Sequence, residues 1–225
     1  MMKYLLLVGP GLLLGIWASW YVKSTFKRFQ SVGVASGMTG AEAAAAVARE
    51  GGAEVTIERA EGFLSDHYDP RTKVLRLSQA VHDGRSVSSI AVAAHEAGHA
   101  IQHANNYAWL GVRSALVPAV MVGSRSWALI FFAGLTLKLV ALQWVGLLLF
   151  GVTVAFQLVT LPTEFDASNR AKAVLASSGI VRSEAEARGV SKVLTAAAMT
   201  YVAGLISAIG TFLYYVMLAM GGRRR

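Results

Sequence analysis

Residues 114–161 read SALVPAVMVGSRSWALIFFAGLTLKLVALQWVGLLLFGVTVAFQLVTL. These 48 residues contain two charges, Arg125 and Lys138. A helix crosses the hydrocarbon core of a bilayer with about 20 apolar residues, so the stretch suits two crossings joined by a tight turn and is too long for one. A turn at Lys138 leaves Arg125 near mid-membrane, where a charge is costly. Arg125 therefore either faces protein or water, or marks the membrane boundary with the hairpin compressed into Ser126 to Leu161. The sequence permits both.

Two further uncharged runs flank this hairpin, residues 4–22 (YLLLVGPGLLLGIWASWYV) and 193–220 (VLTAAAMTYVAGLISAIGTFLYYVMLAM). The first reads as a retained anchor rather than a signal peptide. Trp20 and Tyr21 close it as an interfacial belt would, and no clean small-x-small cleavage site follows. The predicted organisation is an anchor at 4–22, a polar catalytic region at 23–113, the hairpin at 114–161, a polar connector at 162–192, a last span at 193–220 and a basic tail at 221–225.

Composition points the same way. The chain of 225 residues is 55% hydrophobic and 15% charged, with a mean hydropathy of +0.50, against roughly 25% charged residues in soluble domains. It has no cysteine, which excludes disulfides, thiolate-held metal and a thiol nucleophile. The net charge of +8 raises the question of nucleic acid, but residues 24–113 carry nine basic and nine acidic side chains. The excess lies beside the apolar runs, at Lys3, Lys23, Lys138 and Arg223 to Arg225, the pattern of a membrane protein. The partner implied is a lipid bilayer, not nucleic acid.

In the polar region, Thr39 and Glu42 form a capping box ahead of the alanine-rich helix AEAAAAVARE, which Gly51 and Gly52 close. Glu54 to Glu58 and Lys73 to Ser78 alternate as strands, with Asp69-Pro70 in a turn between them. Ser86 to Asn105 reads as one helix. After the hairpin, Pro162 suits the first turn of a helix running to about Ala176, with Asp166 and Arg170 as an i,i+4 pair. Ser183 and Glu186 make a second capping box.

The chemistry lies in AAHEAGHAIQH. His95 and His99 are four residues apart and share a helix face, so both imidazoles can reach one metal ion, while Glu96 sits where a general base for a metal-bound water is needed. At this composition chance supplies roughly 0.004 such motifs, so a coincidental surface pair is the weaker reading. A catalytic zinc needs a third protein ligand. His103 lies eight residues from His95, about 12 Å along an unbroken helix, too far to join it on the metal, and reads either as a pocket wall or as plain helix surface. Glu164 in LPTEFDASNRA can approach from a second helix to complete a His2Glu set. Asp166 is its competitor, but projects from a different face and already has Arg170 as partner.

With SDHYDPRTKVLRLS, SSIAVAAHEAGHAIQHA, LVP at 116–118, LPTEFDASNRA and VLTAAAMTYVA, the chain resembles the YugP-like family of bacterial membrane neutral zinc metallopeptidases along nearly its whole length. More distantly, HEAGH followed by a helical glutamate is similar to the HtpX and CAAX-prenyl protease group, whose third ligand lies in an E-x-x-x-D pattern. The resemblance implies His95, His99 and Glu164 as zinc ligands and Glu96 as catalytic base. Ser168 stands where the distant group has Asp, so that aspartate's supporting role does not carry over. The block Asp66 to Pro70 matches the family, and its bland reading is a turn leading into an edge strand. His103, Tyr107, Ser168 and His67 are the candidates for supporting the ligands or lining the substrate pocket, and either His103 or Tyr107 for stabilising an oxyanion.

The fold expected is a mainly α membrane protein of about four transmembrane helices, plus a zincin-like α+β metallopeptidase domain with a small β element. The function expected is a multi-pass cell-membrane endopeptidase with one Zn2+ per chain, acting on peptide or protein substrates associated with the membrane. Eight basic residues flank the spans on the active-site side against five opposite, which places that site in the cytoplasm. Two rivals are an intramembrane protease, disfavoured by the polar residues around the motif, and a zinc-binding scaffold without turnover. Oligomeric state is not legible.

Overall fold

The computed structural model describes residues 2–62 and 65–221, so Arg223 to Arg225 of the predicted basic tail lie outside the described residues. The elements in chain order are α1 (Met2–Gln30), α2 (Gly40–Glu50), β1 (Thr56–Ala60), β2 (His67–Asp69), β3 (Val74–Ser78), α3 (Gln79–His82), α4 (Val87–Ala104), α5 (Ala108–Thr136), α6 (Val140–Ser177) and α7 (Glu184–Gly221). Helices α1, α5, α6 and α7 are each long and apolar enough to cross a membrane. The chain divides into two compact units, one of Met1–Ser19, Val112–Leu161 and Thr200–Arg225, the other of Trp20–Gly111 and Pro162–Met199.

The first unit is apolar outside as well as inside, with Leu13, Leu129 and Leu148 among its exposed side chains. Its interior centres on Phe131 and Leu147, against which Trp127, Phe212 and Tyr215 pack. The Trp127 and Phe150 rings stack at 4.4 Å, and the Phe131 and Tyr215 rings meet edge-on at 5.0 Å. The hairpin closes tightly because Gly146 lacks a side chain: a Cβ there would lie 2.8 Å from the Trp127 carbonyl oxygen and the Phe131 nitrogen. Small residues at such crossings replace the hydrophobic drive that lipid does not supply. The turn falls at Lys138, which adopts φ 55°. Arg125 is exposed within α5, which starts at Ala108.

One helix boundary differs from the sequence reading. Pro162 does not start a helix; it lies inside the 38-residue α6. Its missing N–H removes one ladder bond, a loss that membrane helices tolerate where neighbouring groups satisfy the freed carbonyl. The capping box at Ser183 forms as read and opens the helix that carries the last apolar run, with Glu186 accepting from the Ser183 nitrogen and the Ser183 hydroxyl accepting from the Glu186 nitrogen.

In the second unit, the Thr39 and Glu42 capping box forms as read, and the chain turns away from α2 through Gly52 at φ 77°. The sheet order is β1-β3-β2: β3 pairs parallel with β1 (Thr56↔Val74) and antiparallel with β2 (His67↔Arg76). This corrects the reading of Asp66 to Pro70 as a turn before an edge strand. Most of that block is itself the edge strand, and the strand after it is central, with Leu75 and Leu77 fully buried. Asp66 fixes the edge by accepting from the nitrogen and hydroxyl of Ser78 at 2.7 and 3.0 Å. Burial raises its carboxyl above the usual range, in spite of those two donors. The core joins Ala43, Ala44 and Val47 of α2 to Ile90, Ala93, Ala94 and Ala97 of α4. These short side chains let two helices and a sheet pack closely enough to bury most of α4.

Candidate metal centre

Helix α4 is capped at its N-terminus by Ser86, whose hydroxyl accepts from the Ser89 nitrogen, and holds His95 and His99 one turn apart. Their rings sit edge-on with centroids 4.8 Å apart. Opposite them, within the same unit, runs the polar end of α6. Gly98, between the two histidines, decides how near it comes, since a Cβ there would run into the Ala167 carbonyl oxygen.

That approach puts the Glu164 carboxylate between the imidazoles. One of its oxygens, Oε2, lies 3.1 Å from His95 Nε2 and 3.5 Å from His99 Nε2. The three side chains offer ligand atoms that all lie within 4.8 Å of one another, and Glu164 and His99 are buried. A tetrahedral ion with bonds of about 2.0–2.1 Å has edges of about 3.3 Å, which the two Glu164 separations bracket. The outward nitrogens are engaged as well. His95 Nδ1 meets the Ser168 hydroxyl at 3.1 Å, and His99 Nδ1 donates to Gln102 Oε1 at 2.9 Å. Both inner nitrogens therefore turn to the same point. The donor set, two imidazoles and one carboxylate with both rings supported from behind, fits a divalent ion such as zinc.

The electrostatics agree. Burial lowers the His99 pKa, but its hydrogen bond to Glu164, the Glu164 charge and the Glu96 charge outweigh burial and raise it. A site that draws a proton onto an imidazole in this way attracts a divalent cation by the same charges. Glu96 is itself buried on α4. Asp166 turns away from the cluster: its Oδ2 accepts from Arg170 Nε at 2.6 Å and from Gln102 Nε2 at 2.8 Å.

The other candidates scatter. Ser168 reaches His95, although the aspartate role was set aside for it; a neutral hydroxyl stands where the distant group has a carboxylate. His103 is outside the cluster. Its Nδ1 is 2.9 Å from the Tyr68 hydroxyl, and both line a groove of about 360 Å³ with Ala100, Glu54 and Lys73. Burial and the Asp69 charge raise the Tyr68 pKa, so the phenol keeps its proton and can donate it to His103. Tyr107 lies under the Arg170 guanidinium at 5.5 Å. His67 is exposed, with Nδ1 at the Ser65 carbonyl oxygen. It alternates with Tyr68 along β2, so the adjacent residue is the one that faces α4. The sequence reading missed Tyr68 and Gln102. For Gln102 the signal was available: it follows His99 by three residues, which puts it on the same helix side.

Comparison with known proteins agrees with the geometry. Residues 4–220 match the family described as "Putative neutral zinc metallopeptidase". The chain is 43% identical over 223 residues, 99% of each chain, to the Bacillus subtilis (strain 168) protein named "Putative membrane protease YugP". No solved structure matches it. With a family match over almost the whole length and a relative this similar from end to end, the chain belongs to the neutral zinc metallopeptidase family.

Proposed function

We propose that the protein is a membrane-embedded zinc endopeptidase whose metal is held by His95, His99 and Glu164 and whose general base is Glu96, on a zincin-like domain made by the second unit. The observation that carries this reading is the Glu164 carboxylate lying between two imidazoles of one HEAGH helix. A bound zinc would polarise the scissile carbonyl and acidify the attacking water. Glu96 takes a proton from that water at its carboxylate and delivers it to the departing amine. The groove beside His103 lies on the Glu96 side of α4, since Ala100 follows Glu96 by one turn. A substrate residue seated there meets the His103 and Tyr68 pair, in which the phenol donates to Nδ1 and leaves the His103 Nε2–H as donor to a peptide carbonyl. Glu164 follows Leu161, the end of the apolar run, by three residues of unbroken helix, about 5 Å. This supports membrane-associated proteins as substrates.

The deciding experiment compares Glu96→Gln with Glu164→Ala in purified protein, by metal analysis and by cleavage of a membrane-anchored reporter. Glu96→Gln should keep zinc and lose cleavage by at least about 10²-fold; Glu164→Ala should lose both. Full cleavage by Glu96→Gln would refute the base, and zinc without turnover in the wild type would leave a scaffold. The cytoplasmic orientation rests on the basic residues flanking the spans. Cysteines introduced at Arg85 and Gly221 should label oppositely with an impermeant thiol reagent, and labelling from one side would overturn the four-span topology.

A further inference from the structure

We propose that Gln102 is the positioning residue of the metal centre, fixing His99 as the Nδ1–H tautomer, and that Asp166 and Arg170 serve the centre through Gln102 alone. The inference rests on the zinc reading above and extends it to side chains that coordinate nothing.

Gln102 is fully buried and uses every side-chain group it has. Its two N–H groups donate to the Thr163 carbonyl oxygen and to Asp166 Oδ2, both at 2.8 Å. The reverse orientation of the amide would set its oxygen against these two oxygens. Oε1 is therefore the atom facing His99, and a carbonyl oxygen can only accept. The neutral His99 ring must carry its proton on Nδ1, which leaves the Nε2 lone pair facing Glu164. His95 has no such constraint, because the Ser168 hydroxyl can donate or accept.

The anchor continues outward. The Asp166 oxygen held by Gln102 is the same one that accepts from Arg170 Nε at 2.6 Å, and the Arg170 guanidinium lies over the Tyr107 ring. Asp166 is thus held from outside and aligns Gln102 from behind. Outer partners of metal-bound histidines matter at the level of about 10–100-fold in metal affinity or activity.

The test measures zinc affinity of the full-length protein in detergent, by competition with a chromophoric chelator, in Gln102→Met, Asp166→Ala and the double variant. Gln102→Met should weaken binding by roughly 10–100-fold and Asp166→Ala by under about tenfold. The double variant should be no weaker than Gln102→Met, since Asp166 has lost the group it acts on. In the zinc-loaded wild type, proton NMR should show a downfield histidine Nδ1–H signal, assigned to His99 by its persistence in Ser168→Ala, which alters only the partner of His95. That signal should vanish in Gln102→Met and shift in Asp166→Ala, which a merely structural role would not produce. Wild-type affinity with an unaltered signal in Gln102→Met, or additive losses in the double variant, would overturn the role. If Gln102→Met does not fold, Asp166→Ala decides alone, and wild-type affinity and signal there refute the inference. A wild type that binds no zinc through His95, His99 and Glu164 would instead refute the zinc reading itself.

Discussion

In the apolar unit Leu129 and Leu148 are 75% and 72% exposed, while in the polar unit Glu164 and Gln102 are 1% and 0% exposed. The usual sorting of residues is reversed at both places, for different reasons. Leucines can face outward where the solvent is lipid, because burying them against protein gains little over burying them in acyl chains. A carboxylate and an amide can be buried where each finds charged or hydrogen-bonding partners, as Glu164 does with two imidazoles and Gln102 with three groups. One helix, α6, carries both environments, with the change falling near Pro162. The first unit therefore tolerates changes of apolar side chain, whereas the second depends on a connected set of polar contacts.

The largest effect expected of this contrast comes from ligand removal. His95→Ala and His99→Ala should abolish bound zinc, measured by elemental analysis, whereas Leu147→Ala in the apolar unit should leave zinc stoichiometric and cost about 2–5 kcal/mol of stability at most. Zinc retained in His99→Ala would break the comparison. Next comes helix approach. Gly98→Ala should destabilise the polar unit by about 1–3 kcal/mol through overpacking against Ala167 and also lower zinc occupancy, while Gly146→Ala should affect thermal stability alone. Equal zinc content in both would show that the close approach at Gly98 does not position Glu164.

A smaller effect concerns pH. In chelator-treated protein the His99 pKa is raised from 6.5 by Glu164 and Glu96 against burial. Its contribution to stability is therefore full below 6.5 and is lost as pH rises through the folded value. Melting temperature should fall as pH rises above 6.5 by more in wild type than in His99→Gln. With zinc present the dependence should reverse, because the metal binds the neutral ring. The smallest effects separate neighbours on one strand: Tyr68→Phe should lower cleavage by removing the hydroxyl at His103 without changing zinc content, and His67→Ala should change neither. A loss of cleavage in His67→Ala would return that residue to the site.

Much of this was legible in one dimension. Apolar runs of about bilayer length predicted four spans, and period and spacing placed His95 and His99 on one helix face with Glu96 beside them, because each property depends only on neighbours along the chain. The caps at Thr39 and Ser183 were legible for the same reason. What failed was local punctuation in a membrane setting: Pro162 reads as a helix start in water, but lies within one continuous helix here.

The sequence by itself determined the lipid-facing helices and the histidine pair, since composition and a 3.6-residue period are chain-local. Tertiary structure alone decided that Thr163 and Asp166 anchor Gln102, that Tyr68 rather than His67 faces α4, and that His67 to Asp69 edges the sheet. Each of these pairs residues far apart in sequence, and helix approach at Gly98 and strand pairing at β3 bring them together. Contact across such separations depends on packing distance, which no spacing along the chain encodes.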